Sequence, residues 1–89
     1  MTLVYILNSL INGSYYVGSC QNVAMRLKLH NAGRVKSTKA GRPWALKYQE
    51  SYNTLREARN REKQIKLWKK RSAIENLINR GSSTFLVGP

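Results

Sequence analysis

Five side chains able to do acid–base or electrostatic chemistry fall at positions that should face the interior: Tyr5, Tyr16, Arg26, His30 and Glu62. A guanidinium, an imidazole and a carboxylate are expensive to bury alone, so each is normally paired or put to use. One reading is structural: a buried Arg26–Glu62 ion pair, with His30 as a hydrogen-bonded core residue. A strand tyrosine taken singly is likewise more often a packing residue. Taken together, in a very basic chain and beside two tyrosines on one sheet face, the set points to use instead.

The elements that must position these residues can be read along the chain. Leu3–Leu7 is a short apolar run rich in Val, Tyr and Ile, and reads as a buried strand; Tyr15–Cys20 reads as a second. Asn12-Gly13 between them is a strong hairpin signal. A two-residue turn there pairs Ile11 with Ser14, Ser9 with Tyr16 and Leu7 with Gly18. Side chains alternate, so Tyr5, Leu7, Ser9, Tyr16 and Gly18 share a face. Asn22 caps a helix expected over Val23 to about Ala32, with Gly33 as its C′ residue. Val23, Met25, Leu27 and Leu29 span a broad apolar arc that includes Arg26 and His30.

A basic loop, Arg34–Pro43, leads to a third strand over Trp44–Tyr52. Thr54 and Glu57 form a capping-box pattern for a helix running to about Trp68. Its apolar stripe is Leu55, Ala58, Ile65 and Trp68, and Glu62 falls on it. Trp44, Tyr48 and Trp68 read as core rather than base-stacking residues. Ser72–Ile78 is a short last helix. The expectation is one α+β domain over residues 1–80, a small three-stranded, mainly antiparallel sheet flanked by three helices, with a flexible tail over 81–89.

Sixteen Lys and Arg face four acids, all glutamates, for a net charge of +12 on 89 residues. So much like charge on so short a chain repels itself, and a polyanion relieves that repulsion. Nucleic acid is the leading partner and an anionic membrane surface the second. Lys36, Lys39 and Arg42 in the loop, and Arg59, Lys63 and Lys66 on the helix, are candidate phosphate contacts. One cysteine, Cys20, allows no intrachain disulfide. With neither a signal-peptide pattern nor an apolar run of membrane-spanning length, a cytoplasmic monomer without an organic cofactor is the expectation.

Leu3-Val4-Tyr5 and Tyr16-Val17-Gly18 resemble the two half-motifs of the GIY-YIG nucleases. Arg26 follows Gly18 by eight residues, His30-Asn31 follows in turn, and Ala58-Arg59-Asn60-Arg61-Glu62 is similar to the segment ending in that family's metal-binding glutamate. Glu57 lies nearby but sits at a capping position. The resemblance covers roughly residues 2–78 and is nearest to small stand-alone bacterial members, which resemble the nuclease domain of the excision-repair C subunit. Leu3 replaces the first Gly of the motif name, Ser19 stands where repair relatives often carry Lys, and Asn76 is only a loose match to the Asn after the glutamate.

The resemblance implies a DNA endonuclease of repair or recombination, with RNA left open as a substrate. It implies one Mg²⁺ (or Mn²⁺) ion held by Glu62 and Arg26 forked onto the scissile phosphate. Tyr5 or Tyr16 would act on the water, His30 would assist proton transfer, and Gly18 would let the backbone approach the site. Against it stand a non-catalytic nucleic-acid-binding module of the same fold and a basic structural or ribosome-associated protein.

Overall fold

The run Leu3–Leu7 is apolar without interruption because it is buried on both sides. In a computed structural model it lies within β1 (Thr2–Ser9), the middle strand of an antiparallel sheet ordered β2-β1-β3, with β2 at Tyr15–Cys20 and β3 at Trp44–Tyr52. The structure describes the backbone of residues 1–87 and the side-chain surroundings of residues 1–81. Val4 and Ile6 point to one face, where they pack with Val17, Tyr48, Ala58, Ile65 and Leu77. Tyr5 and Leu7 point to the other, against Val23 and Trp44. The sheet thus separates two small cores. The α+β architecture of three antiparallel strands and three helices is as expected.

The hairpin register differs from the expected one. Leu7 pairs with Tyr16 and Tyr5 with Gly18, a slip of two residues. The Ser9 carbonyl accepts from Gly13 N–H at 2.9 Å, and Ser9 N–H donates to the Ser14 carbonyl at 2.8 Å. The turn therefore spans Leu10–Gly13, with only Gly13 at positive φ (76°). A two-residue Asn-Gly turn needs positive φ at both central residues. The Ser9 hydroxyl instead accepts from the N–H groups of Ile11 and Asn12 and donates to the Gly41 carbonyl at 2.7 Å, which fixes the wider turn. Because the slip is even, every side chain keeps its face.

The first helix, α1 (Val23–Asn31), starts where expected, with the Asn22 side chain accepting from Met25 N–H. It ends in a Schellman motif: Arg34 N–H bonds the Leu29 carbonyl, Gly33 N–H bonds that of His30, and Gly33 has φ 76°. Its apolar arc is narrower than expected, for Met25 is 54% exposed while Val23 and His30 are buried. A short 3₁₀ helix, Lys36–Gly41, follows.

The second helix, α2 (Leu55–Lys66), is capped by the Thr54 hydroxyl and ends before Trp68. Ala58 and Ile65 seat it on the sheet with no exposed surface, whereas Leu55 is exposed. Burying a side chain such as Ile65 is worth about 1.5–3 kcal/mol, so this contact sets where the rest of α2 points.

The last helix, α3 (Arg71–Val87), runs well past the expected Ile78. Gly81 is not its terminator. A Cβ there would lie 2.1 Å from Cε1 of Tyr48, so the glycine lets the helix cross the Tyr48 ring closely. The segment 81–89, set apart above as a tail, lies mostly outside the residues whose side chains are described. No helix among the described residues is long and apolar enough to cross a membrane.

Candidate active site

Tyr5 is 1% exposed, and its hydroxyl lies 2.9 Å from His30 Nε2. On the other side of that ring, Nδ1 lies 2.7 Å from the Thr38 hydroxyl oxygen. The Thr38 hydroxyl gives its one proton to the Val35 carbonyl at 3.3 Å. Nδ1 must then carry the proton that bridges to Thr38, which leaves Nε2 to accept from Tyr5. Burial, and secondarily the positive charge of Arg26, hold the imidazole below its usual value, consistent with this neutral tautomer. Thr38, overlooked in the sequence because it sits in a loop of small and basic residues, comes from the 3₁₀ helix. That helix is itself pinned by Trp44 Nε1–H donating to the Thr38 carbonyl at 2.8 Å.

Tyr16 is half-buried beside this chain, its ring centroid 4.9 Å from that of His30 and 6.2 Å from that of Tyr5. Gly18 makes the packing possible: a Cβ there would fall 2.6 Å from the Tyr5 hydroxyl oxygen and 3.1 Å from the Tyr16 ring. The glycine admits the Tyr5 phenol, a tighter role than a generic backbone approach. Burial pushes the Tyr5 hydroxyl up to about 12, against the pull of the neighbouring Arg26. The Arg26 guanidinium in turn lies against Tyr5, with Tyr16 and Cys20 near, and contact with the Tyr5 hydroxyl holds it above its usual value. Its Nε is buried with no hydrogen-bond partner among the described residues.

The Arg26–Glu62 ion pair, the structural alternative above, does not form. Glu62 instead accepts from the Ser19 hydroxyl at 2.7 Å and from the Lys66 ammonium at 2.6 Å. Ser19 points to the opposite face of β2 from Tyr16, so Glu62 sits on the α2 side of that strand and meets the tyrosine side only through Lys66. Lys66 spans the gap, its Nζ 5.9 Å from the centroid of the Tyr16 ring. Arg59, Lys63, Lys66 and Glu62, with Leu67, line a surface cleft of about 370 Å³. Lys36, Lys39 and Arg42 are exposed on or beside the 3₁₀ helix and do not line this cleft. Arg42 Nε donates to the Lys39 carbonyl at 2.9 Å.

No group of three or more His, Cys, Asp or Glu side chains converges among the described residues. The oxygen donors on hand are the Glu62 carboxylate and the Ser19 hydroxyl. That sparse, hard set suits a small divalent cation that keeps most of its waters.

Comparison with known proteins bears on the whole arrangement. A family model described as the GIY-YIG catalytic domain matches residues 1–79. A UPF0213 protein of Staphylococcus haemolyticus is 38% identical over 78 residues, covering 86% of this chain and 94% of its own. A UPF0213 protein of Staphylococcus aureus is 39% identical over 70 residues, covering 78% of this chain and 85% of its own. The solution NMR structure of a UPF0213 protein from Bacillus halodurans superposes with a TM-score of 0.55 at 29% identity, covering 91% of this chain and 87% of that one.

Proposed function

This chain belongs to the GIY-YIG family, and on that premise we propose that it is a metal-dependent endonuclease that hydrolyses DNA phosphodiester bonds in repair or recombination, selecting its substrates by structure or only weakly by sequence. The observation that carries this reading is the Arg26 guanidinium. It is a cation set among tyrosines with a buried Nε that no described residue satisfies. A buried, unsatisfied donor is costly, and a scissile phosphate is the ligand whose oxygens a guanidinium matches bidentately.

Phosphodiester hydrolysis needs an oriented water, stabilisation of charge on the phosphate and a route for the proton. Arg26 supplies the charge stabilisation. Tyr16 is the half-exposed tyrosine and is assigned to orient or deprotonate the water, with the Arg26 guanidinium near it. Tyr5 is fully buried and donates its hydroxyl to His30, so it acts as a positioning residue that sets the His30 ring. Neutral His30 has both ring nitrogens engaged, so it assists proton transfer only through the Tyr5 hydroxyl, which would pass its own proton to Nε2 as it takes up another. Glu62, steadied by Ser19, would hold one Mg²⁺ or Mn²⁺ ion. When bound, that ion supplies Lewis-acid polarisation and neutralises charge on the phosphate. The cleft cations Arg59 and Lys63, with Lys36, Lys39 and Arg42 around the 3₁₀ helix, contact flanking phosphates.

Glu62→Gln tests the reading directly. The variant should lose nicking of supercoiled and branched DNA in Mg²⁺, bind duplex as well as or slightly better than the parent, and unfold at nearly the same temperature. Near-native stability is expected because the partners it leaves, Ser19 and the half-exposed Lys66, are easily resolvated. A stable Glu62→Gln protein that still cuts DNA in Mg²⁺ would overturn the metal role, and parallel RNA substrates decide which polymer is cut.

A further inference from the structure

Both Glu62 oxygens are already engaged, one by the Ser19 hydroxyl and the other by the Lys66 ammonium at 2.6 Å. Resting on the metal role argued for Glu62 above, we propose that Lys66 is a resident counter-ion at the cation seat, which a divalent ion must displace in order to bind.

The geometry supports exchange rather than simple coexistence. A Mg²⁺ ion binds a carboxylate oxygen at about 2.0–2.1 Å. An ammonium held to the same carboxylate would then stand a few ångströms from a dication, where like charges repel strongly. The two partners of Glu62 are not equivalent. Ser19 is uncharged and fixed on β2, so it keeps the carboxylate aimed when the other partner leaves. Lys66 sits one turn along the same helix, with its side chain 50% exposed against 20% for Glu62. Such an i, i+4 pair is weak and reforms readily, so a long, wetted side chain swings away at little cost. The direction of the swing is set by what surrounds it: the Tyr16 ring on one side and the cleft shared with Arg59 and Lys63 on the other. Before the metal arrives, Lys66 satisfies Glu62, with its ammonium 5.9 Å from the centroid of the Tyr16 ring. After exchange, its ammonium turns out into solvent, away from the dication.

Calorimetric Mn²⁺ titration of the whole chain, without DNA, tests the exchange. Lys66→Met keeps length and removes charge, and should bind Mn²⁺ roughly three- to tenfold more tightly than the parent. Lys66→Arg keeps the charge and should bind like the parent. Glu62→Gln should lose the site. Should Glu62→Gln bind Mn²⁺ as the parent does, the metal reading of Glu62 fails and the exchange with it. Should Glu62→Gln lose binding while Lys66→Met binds no more tightly than the parent, the metal reading stands and the exchange alone is overturned. Equal tightening in Lys66→Met and Lys66→Arg would also overturn it, since the effect would not then follow charge.

Discussion

The two faces of the sheet carry polar clusters built from nearly the same parts, and they end in opposite states. On the α2 side, Glu50 of β3 accepts from the hydroxyls of Tyr48 and Tyr52 and from Nε and a terminal nitrogen of Arg61 at 3.0 and 3.1 Å. Burial pushes the Glu50 carboxyl up, but Arg61 and the two phenols outweigh it and hold the group below its usual range. The Arg61 guanidinium also lies over the Trp68 ring. On the α1 side stand two tyrosines and an arginine again, with His30 where the first cluster has its carboxylate. No acid closes the second set, and Arg26 keeps a buried donor without a partner among the described residues. A closed network around a carboxylate locks α2 to β3 and is finished within the fold. An open one around a cation leaves a donor free among the described residues, and the proposed phosphate contact rests on that difference. The location of the missing negative charge, more than the number of polar residues, separates structure from site.

The sharpest way to break this comparison is to remove the arginine from each cluster. Arg26→Ala should reduce nicking by about 10²–10³-fold, the usual consequence of losing one preorganised donor to a developing anion. Its thermal stability should hold or rise, because an unsatisfied buried nitrogen goes with it. Arg61→Ala should do the reverse. It strands a largely buried carboxylate and should cost about 1.5–3 kcal/mol in chemical denaturation. Any loss of cutting should then recover at lower temperature. If the two variants behave alike, the division into open and closed clusters is wrong.

Gly18→Ala sharpens the comparison on the site side alone. The added methyl would collide with the Tyr5 phenol, and overpacking of this kind costs about 1–3 kcal/mol. The Tyr5–His30 hydrogen bond should lengthen or break, visible as a shift of the His30 ring resonances, and nicking should fall with it.

The smallest expected effect is in pH. His30 titrates lower in the fold than in the unfolded chain, where the usual value is 6.5. Below that value the unfolded state binds more protons, so stability falls as pH drops from about 6.5 toward the folded value, by no more than about 1.4 kcal/mol per pH unit. His30→Gln should flatten this limb. Glu50 has its pKa lowered, so its contribution is present above about 4.5 and is lost only on further acidification through the folded value. The two faces should therefore lose stability in different windows, checked by melting temperatures from pH 7.5 to 3.5.

Much of the geometry of the candidate site was legible because it rests on parity. Tyr5, Tyr16 and Gly18 share a face in any register that slips by an even number of residues, so a misjudged turn left the site intact. The N-caps at Asn22 and Thr54 were equally plain, since a side-chain oxygen before an amphipathic run has few other uses. The turn itself was missed because the local Asn-Gly preference yields to Ser9, whose hydroxyl answers to Gly41, a partner 32 residues away. Ser19 read as a departure from the family pattern, and only the packing of α2 on β2 reveals it as the partner of Glu62. The closed cluster was missed for another reason. Tyr48, Glu50 and Tyr52 stand at i, i+2 and i+4 of one strand, a same-face pattern that alternation alone could have flagged, but Arg61 that completes it lies on a helix.

The position of the site on β2 has a consequence for the protein in bulk. That strand is an edge of the sheet, paired with β1 on one side and with no strand on the other among the described residues. Many proteins hide such a rim behind a helix or loop, since it invites a strand from another molecule. Covering this one would wall off the approach from Ser19 to Tyr16. A net charge of +12 makes copies of the chain repel one another. That barrier acts through solvent and is stripped by salt. In concentrated electrolyte, pairing of two copies through this edge should rise, which light scattering across a salt series would show.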